Sequence, residues 1–389
     1  MMIKFSAPMF YVDFYIDKLI ELNERFESSS GIRIDSVFGA LSRDAKEAMG
    51  WENYRDHKGI DKKGVRFLNY IDEMRPYIDK LKEHQITFQY CLNSTKTMTA
   101  EDLHAVRPKI FRLCDSLIRN GIHHLKVSNL LLFDFISSYY GDVFTYYLST
   151  TKEYSSIRQY QTLLEAHPNI TEVCLPSDLN KDFDFIRNFQ KIGGVEMEIM
   201  VNEGCIYACP WRKDHTPHSS GTHTVQLRQK IRDGETDFTE RMLYYYTNSC
   251  GNYRECHKAS EYFLRRTIMP FDIWTYVTKY NVTKFKFAGR DMETGYLINS
   301  LEHYLEGIDN FDKIRNLPWD YFNNYHYSES KKPIFTIEQA MKYYPAISHF
   351  ETMGSLCHSK CGFECNYCYE KSAKLEEAIH QFMERNSSI

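Results

Sequence analysis

The sequence predicts an α/β fold, a (βα)8 TIM-like barrel with an insertion after strand seven and a small cysteine-rich C-terminal extension. Three observations carry this. The chain has 389 residues, 43% of them hydrophobic, enough to build one large α/β domain. Eight short β-like runs alternate with amphipathic helical stretches. Eight is also the number at which such units close into a barrel; the competing arrangement is an open, doubly wound sheet.

The strand candidates are, in order, 4–8, 34–39, 86–93, 124–128, 143–148, 172–175, 196–201 and 283–287. Between them, YIDKLIELNERF (15–26), LHAVRPKIFRLCDSLIRNG (103–121) and SIRQYQTLLEAHPN (156–169) repeat apolar residues at helical spacing. Gly121 and Asn169 stand where helix C-caps are expected, and SSSG (28–31) reads as a loop. Residues 1–310 are assigned to the barrel, including an insertion at 211–275, and residues 311–389 to the extension.

Charge narrows the function. The 48 basic and 52 acidic residues give a net charge of −4, which disfavours RNA as substrate without excluding a local basic groove. The N-terminal MMIKFSAPMFYVDFYIDKL lacks a secretory pattern, and no apolar run reaches the roughly 20 residues a membrane helix needs. A cytoplasmic location is expected, with no membrane partner. There, reduced cysteines in clusters point to metal rather than to disulfides.

The 11 cysteines are clustered. NEGCIYACPWRKDH supplies Cys205 and Cys209 directly after the seventh strand, at the barrel end that carries chemistry. NSCGNYRECHK supplies Cys250 and Cys256 from the insertion. LCHSKCGFECNYCYEK supplies Cys357, Cys361, Cys365 and Cys368 as CxxxCxxxCxxC. Four thiols at that density cannot all be core packing. Zinc favours two CxxC knuckles, and only Cys365 and Cys368 have that spacing, so a [4Fe–4S] cluster is preferred, with zinc the alternative. CGFECNYCY also fits the CxxxCxxC of radical S-adenosylmethionine enzymes. Those place the motif after the first barrel strand, whereas only residues 370–389 follow it here, and Cys357 supplies a fourth thiol. A fully ligated cluster is therefore expected. Cys91, Cys114 and Cys174 stand alone and read as small buried hydrophobes.

With these motifs in order, the chain resembles the U32 peptidase-like family, the collagenase-like TIM-barrel iron–sulfur proteins, over about residues 1–310. ITFQYCLNST (86–95), GIHHLKVSNLLLFDFI (121–136), ITEVCLPSDLNKDFDFI (170–186), EMEIMVNEGCIYAC (196–209) and VTKFKFAGRDMETGYLINSLEHYLEGID (282–309) carry the likeness. The resemblance implies a (βα)8 barrel, a four-cysteine [4Fe–4S] cluster and, in better understood members, modification of RNA bases or quinone precursors, including oxygen-independent hydroxylation. This chain departs from the pattern. Three residues separate Cys205 from Cys209 where the family has six, Ala288 precedes the Gly-Arg pair, and the tail cysteines are extra. A divergent subfamily follows.

At the expected mouth stand Asn93, Ser128, Asn202, Glu203 and Arg290, with Arg212 and His215 after Cys209. Arg290 suits a substrate carboxylate or phosphate, or else a loop carboxylate. Arg212, Lys213 and His215 could donate to cluster sulfurs or substrate. His215, His218 and His223 are a possible zinc trio, with surface histidines preferred. Glu198 needs a partner if it points inward. No Ser-His-Asp set, phosphate-cradling loop or HExxH motif is visible.

The expectation is an iron–sulfur enzyme with two [4Fe–4S] clusters that redox-modifies a small-molecule or carrier-bound substrate without oxygen. One cluster is assigned to Cys205, Cys209, Cys250 and Cys256, the other to the tail. An electron-donor protein or heteromeric partner would serve it. The alternatives are a U32-type peptidase and a non-catalytic electron carrier or partner subunit.

Overall fold

The structure is a computed structural model that describes residues 2–41, 68, 70–93, 98–152, 154–203, 207–209, 234, 237, 266–290, 292–322, 334–354, 356–361 and 364–386. Eight parallel strands close into a barrel in sequence order. They are β1 (Ile3–Pro8), β2 (Ile32–Gly39), β3 (Thr87–Leu92), β4 (His124–Val127), β5 (Thr145–Leu148), β6 (Ile170–Cys174), β7 (Glu196–Met200) and β8 (Lys284–Lys286). The last strand pairs back onto the first, Ser6 opposite Lys286, which closes the ring and rules out the open sheet.

The helices outside it are α1 (Asp13–Ser30), α2 (Arg75–Glu83), α3 (Ala100–Arg119), α4 (Leu130–Tyr140), α5 (Ile157–Ala166), α6 (Phe183–Gln190), α7 (Ile273–Tyr280) and α8 (Thr294–Asp309). Local chemistry sets their starts. Thr99 and Asp102 form a reciprocal capping box on α3, and Ser156 and Gln159 form one on α5. Three sequence expectations change. SSSG is not a loop, because α1 runs through Ser30 and ends on left-handed Gly31. Asn169 does not cap α5, which stops at Ala166 with His167 as its cap. Residues 141–143 form a 3-10 turn that delays β5 to Thr145.

Strand parity divides the side chains into two layers. Outward residues pack under the helices. Phe5 meets Tyr304 of α8 edge-on at 5.9 Å, and Phe133 of α4 meets Tyr146 of β5 at 4.9 Å. Burying each such ring is worth about 1.5–3 kcal/mol. The inward layer is polar, which a branched-aliphatic barrel filling would not be.

The extension contributes α9 (Ile337–Met341), α10 (Ile347–Met353), α11 (Leu356–Lys360) and α12 (Tyr367–Asn386). It docks beside α6 and α7. Tyr280 of α7 donates to Glu351 at 2.7 Å and Lys279 pairs with it at 3.0 Å, while Tyr344 donates to Asp272 at 2.8 Å. Gly354, with φ +49, passes so close to α6 that a Cβ there would run into the Asp184 carboxylate. Among the described residues, no helix is long and apolar enough to cross a membrane.

Candidate functional site: a charged barrel interior and a thiol-lined pocket

Alternation within the strands dictates the barrel interior. KFK in β8 and EMEIM in β7 place charges at every second position, so Lys284, Lys286, Glu196 and Glu198 share the inward face. Lys126 of β4 bonds Glu198 at 2.7 Å and Glu172 of β6 at 3.1 Å, and Ser6 donates to Glu198. Lys284 bonds Asp35 and lies 3.8 Å from Glu172. Lys286, at the C-terminal end of β8, lies 3.8 Å from Glu198 Oε2 and 3.8 Å from the centroid of the Phe38 ring.

Burial penalises each of these charges, and the neighbours decide the outcome. Burial alone would raise Glu198, but Lys126, Lys286 and Lys284 overcome it and hold its carboxyl well below the usual range. Glu172 is pushed up by burial and by Glu198, against Lys126 and Lys284. Lys126 ends well above its ordinary value because Glu198 and Glu172 outweigh its burial. Lys286 is pulled down by burial and by Lys126.

Above this layer lies the mouth. Asn93, one residue past β3, is buried with its Oδ1 unpaired among the described residues. The Asn202 amide is committed to the backbone of Ala288, donating to its carbonyl at 2.8 Å and accepting its N–H at 2.7 Å. That clamp steadies Gly289, whose φ is +138 and where an added Cβ would come within 2.6 Å of the Leu297 and Met292 side chains. The turn returns Arg290 to the mouth, buried, with its guanidinium 5.9 Å from the Phe38 centroid. Asn202 therefore positions Arg290. Ser128 is bonded to Thr151, and Glu203 is half-buried.

The four tail cysteines converge. Cys357, Cys361, Cys365 and Cys368 border one pocket of about 450 Å3, counted out to its opening. Among the described residues, no three His, Cys, Asp or Glu side chains form a group that could hold a metal ion as they stand. Cys365 Sγ lies 3.7 Å from His349 Nε2. Lys181, from the loop after β6, supplies a buried ammonium bonded to Tyr344 at 3.2 Å and set 5.2 Å from the Phe350 ring. Burial pushes Lys181 down to about 8, against the pull of Asp272, Cys368 and Cys357. Burial also lowers His349.

Tyr207 and Asp178 border the same pocket. Asp178 pairs with buried Arg266 at 2.7 Å and accepts the Ala208 N–H at 3.2 Å. This ties the segment carrying buried Cys209 to the rim of the tail site, at the C-terminal end of β6. Cys205, Cys250, Cys256, Arg212 and His215 lie outside the described residues, as do His218 and His223.

Among the lone cysteines, Cys114 is buried on the core side of α3, as expected. Cys91 and Cys174 are buried too, but on the inward face near Lys286, and Cys174 also neighbours Glu198 and Lys126. Cys174 thus sits among charges, because strand parity outranks the apolar look of its neighbours. Sequence reasoning did not single out Lys126, Lys284, Lys286, Asp35 and Glu172. The alternating charges in strands covered on both faces were the available signal. Lys181 and His349 carried none, since only folding brings them to the thiols.

No family model matches the chain. It is 26% identical over 205 residues to a protein named Uncharacterized protease MJ1657 from Methanocaldococcus jannaschii, a match covering 52% of this chain and 52% of that protein. The chain thus spans little more than half the length of that curated relative. A solved structure, that of the U32 peptidase Mk0906, aligns with a TM-score of 0.40 at 12% identity, covering 61% of this chain and 80% of that one.

Proposed function

We propose that this chain is an iron–sulfur-dependent enzyme that modifies its substrate by redox chemistry without molecular oxygen, hydroxylation being the first case to test. The observation that carries the reading is the single pocket ringed by Cys357, Cys361, Cys365 and Cys368 at the barrel's C-terminal face. The donor set fits a cluster. Four thiolates and a cubane carry net negative charge, and Lys181 and His349 stand beside the sulfurs as cation and ring N–H. Such a cluster, when bound, supplies one-electron transfer. The chain's own residues would do the rest: Tyr207 and Phe350 line the thiol pocket, and buried Arg290 and Asn93 would meet the substrate at the barrel mouth. A second cluster on Cys205, Cys209, Cys250 and Cys256 belongs to the same proposal, as do a cytoplasmic setting and an electron-donor or heteromeric partner. Zinc on the tail thiols is the competing metal.

Anaerobic purification tests this. A brown protein absorbing near ~400 nm with about four irons per tail site, and roughly eight in all, is expected. Zinc without iron would sink it. A second reading, a U32-type peptidase, is supported by the printed names of the similar proteins. Peptide cleavage that persists in the iron-free protein would favour it. Reversible redox behaviour with no substrate turnover would instead mark an electron carrier.

A further inference from the structure

We propose that Lys286 and Arg290 form a two-cation anchor at the barrel mouth for the anionic group, carboxylate or phosphate, of the substrate. The inference deepens the enzyme reading but rests on the barrel rather than on any metal.

Among the described residues, three buried ammonium groups occupy the barrel interior, and two are spoken for. Lys126 holds Glu198 and Glu172, and Lys284 holds Asp35. Lys286 is different. It is 5% exposed, yet among the described residues it reaches no hydrogen-bond acceptor. Its nearest carboxylate oxygen, Glu198 Oε2, stands at 3.8 Å and is already engaged by Lys126, while Ser6 donates to Oε1. What holds Lys286 is the face of Phe38, and a cation–π contact is worth about 0.5–2 kcal/mol. That leaves its three N–H donors for a ligand.

Arg290 reaches the same ring from above. Gly289 and the Asn202 clamp fix the turn that brings it there. A planar fork and a point-charge ammonium that share one aromatic ring suit an oxyanion. Asn93, at the C-terminal end of β3 with its buried carbonyl oxygen unpaired among the described residues, adds an acceptor at the same end of the barrel. Burial and Lys126 lower the affinity of Lys286 for its proton, and Glu198, Cys174 and Cys91 oppose this; an arriving anion would add to that opposition.

The test uses the purified chain with glyoxylate and cyanoborohydride. The aldehyde condenses with a lysine amine and loses water; hydride then reduces the imine to a carboxymethylated lysine, read site by site by peptide mass spectrometry. Lys286 is expected to react faster than the exposed lysines. Phosphate or acetate, at matched chloride ionic strength, should slow Lys286 alone; stronger protection by phosphate assigns a phosphorylated substrate, and by acetate a carboxylate. Arg290→Gln should abolish that protection while leaving methylation of Lys286 by neutral formaldehyde unchanged. Labelling of Lys286 no faster than the exposed lysines, or indifference to both anions, overturns the proposal. Iron is measured on the same samples, so failure of the metal reading is seen separately.

Discussion

At Glu198 the charges of Lys126, Lys284 and Lys286 bear on one carboxylate that water cannot reach. Removing one partner of a buried ion pair leaves the other uncompensated, at a cost of about 3–5 kcal/mol. Glu198→Gln keeps the shape and removes the charge, so urea unfolding should show a loss of that order. Lys286 works in the opposite sense. Burial places its folded proton affinity below that of the unfolded chain, so the charged form is penalised wherever both states are protonated. The penalty is full at neutral pH, shrinks once the folded group sheds its proton, and vanishes above the unfolded value. Lys286→Met should therefore raise the melting temperature more at about pH 7 than at about pH 9.5. A gain that is flat with pH would mean the amine is not penalised. These lysines were half legible in the sequence. KFK and HLKV announce charges in strands covered on both faces, but only closure of the ring shows which carboxylate each one meets.

The elements were the most legible part of the sequence. Each expected strand is found, with ends shifted by one or two residues at most sites, because alternation and spacing are local properties. The errors came where backbone geometry overrode composition: α1 runs through Ser30, and the turn at 141–143 displaces the start of β5. Docking of the extension was not legible, since it depends on contacts far apart in sequence. Gly354 is the sharpest of these. Its φ of +49 and the neighbouring Asp184 carboxylate leave no room for a Cβ. Strain of this kind costs about 1–3 kcal/mol. Gly354→Ala should loosen α10 from α6, giving faster proteolysis within 334–386 while the strands keep their amide protection. Equal protection of the extension in both proteins would show that it does not depend on this contact.

Across the whole molecule, the extension is fastened to the barrel on one flank and to the thiol pocket on the other. Tyr344, Asp272 and Lys181 form the buried link between them, with the Tyr344 hydroxyl also 3.1 Å from the Thr267 carbonyl. Burial raises Asp272 to about 6, with Lys181 opposing. Composition could show that Cys357, Cys361, Cys365 and Cys368 belong together; it could not show that their pocket opens beside the loop after β6, next to the segment of Cys209. That placement couples metal to architecture, because thiolates gathered around a cluster repel one another once it is gone, and binding energy at such sites is folding energy. Stripping the metal under anaerobic chelation should therefore raise amide exchange in α11 and the start of α12, and in the Ser177–Leu179 turn they pack against. Exchange in β1 to β8 should stay as it was. The Cys365→Ala protein, purified without chelator, should reproduce the pattern and lose about four irons per chain. If exchange rises throughout the barrel instead, the extension is part of the barrel's own fold; if it rises nowhere, the thiols hold no metal that matters to the structure.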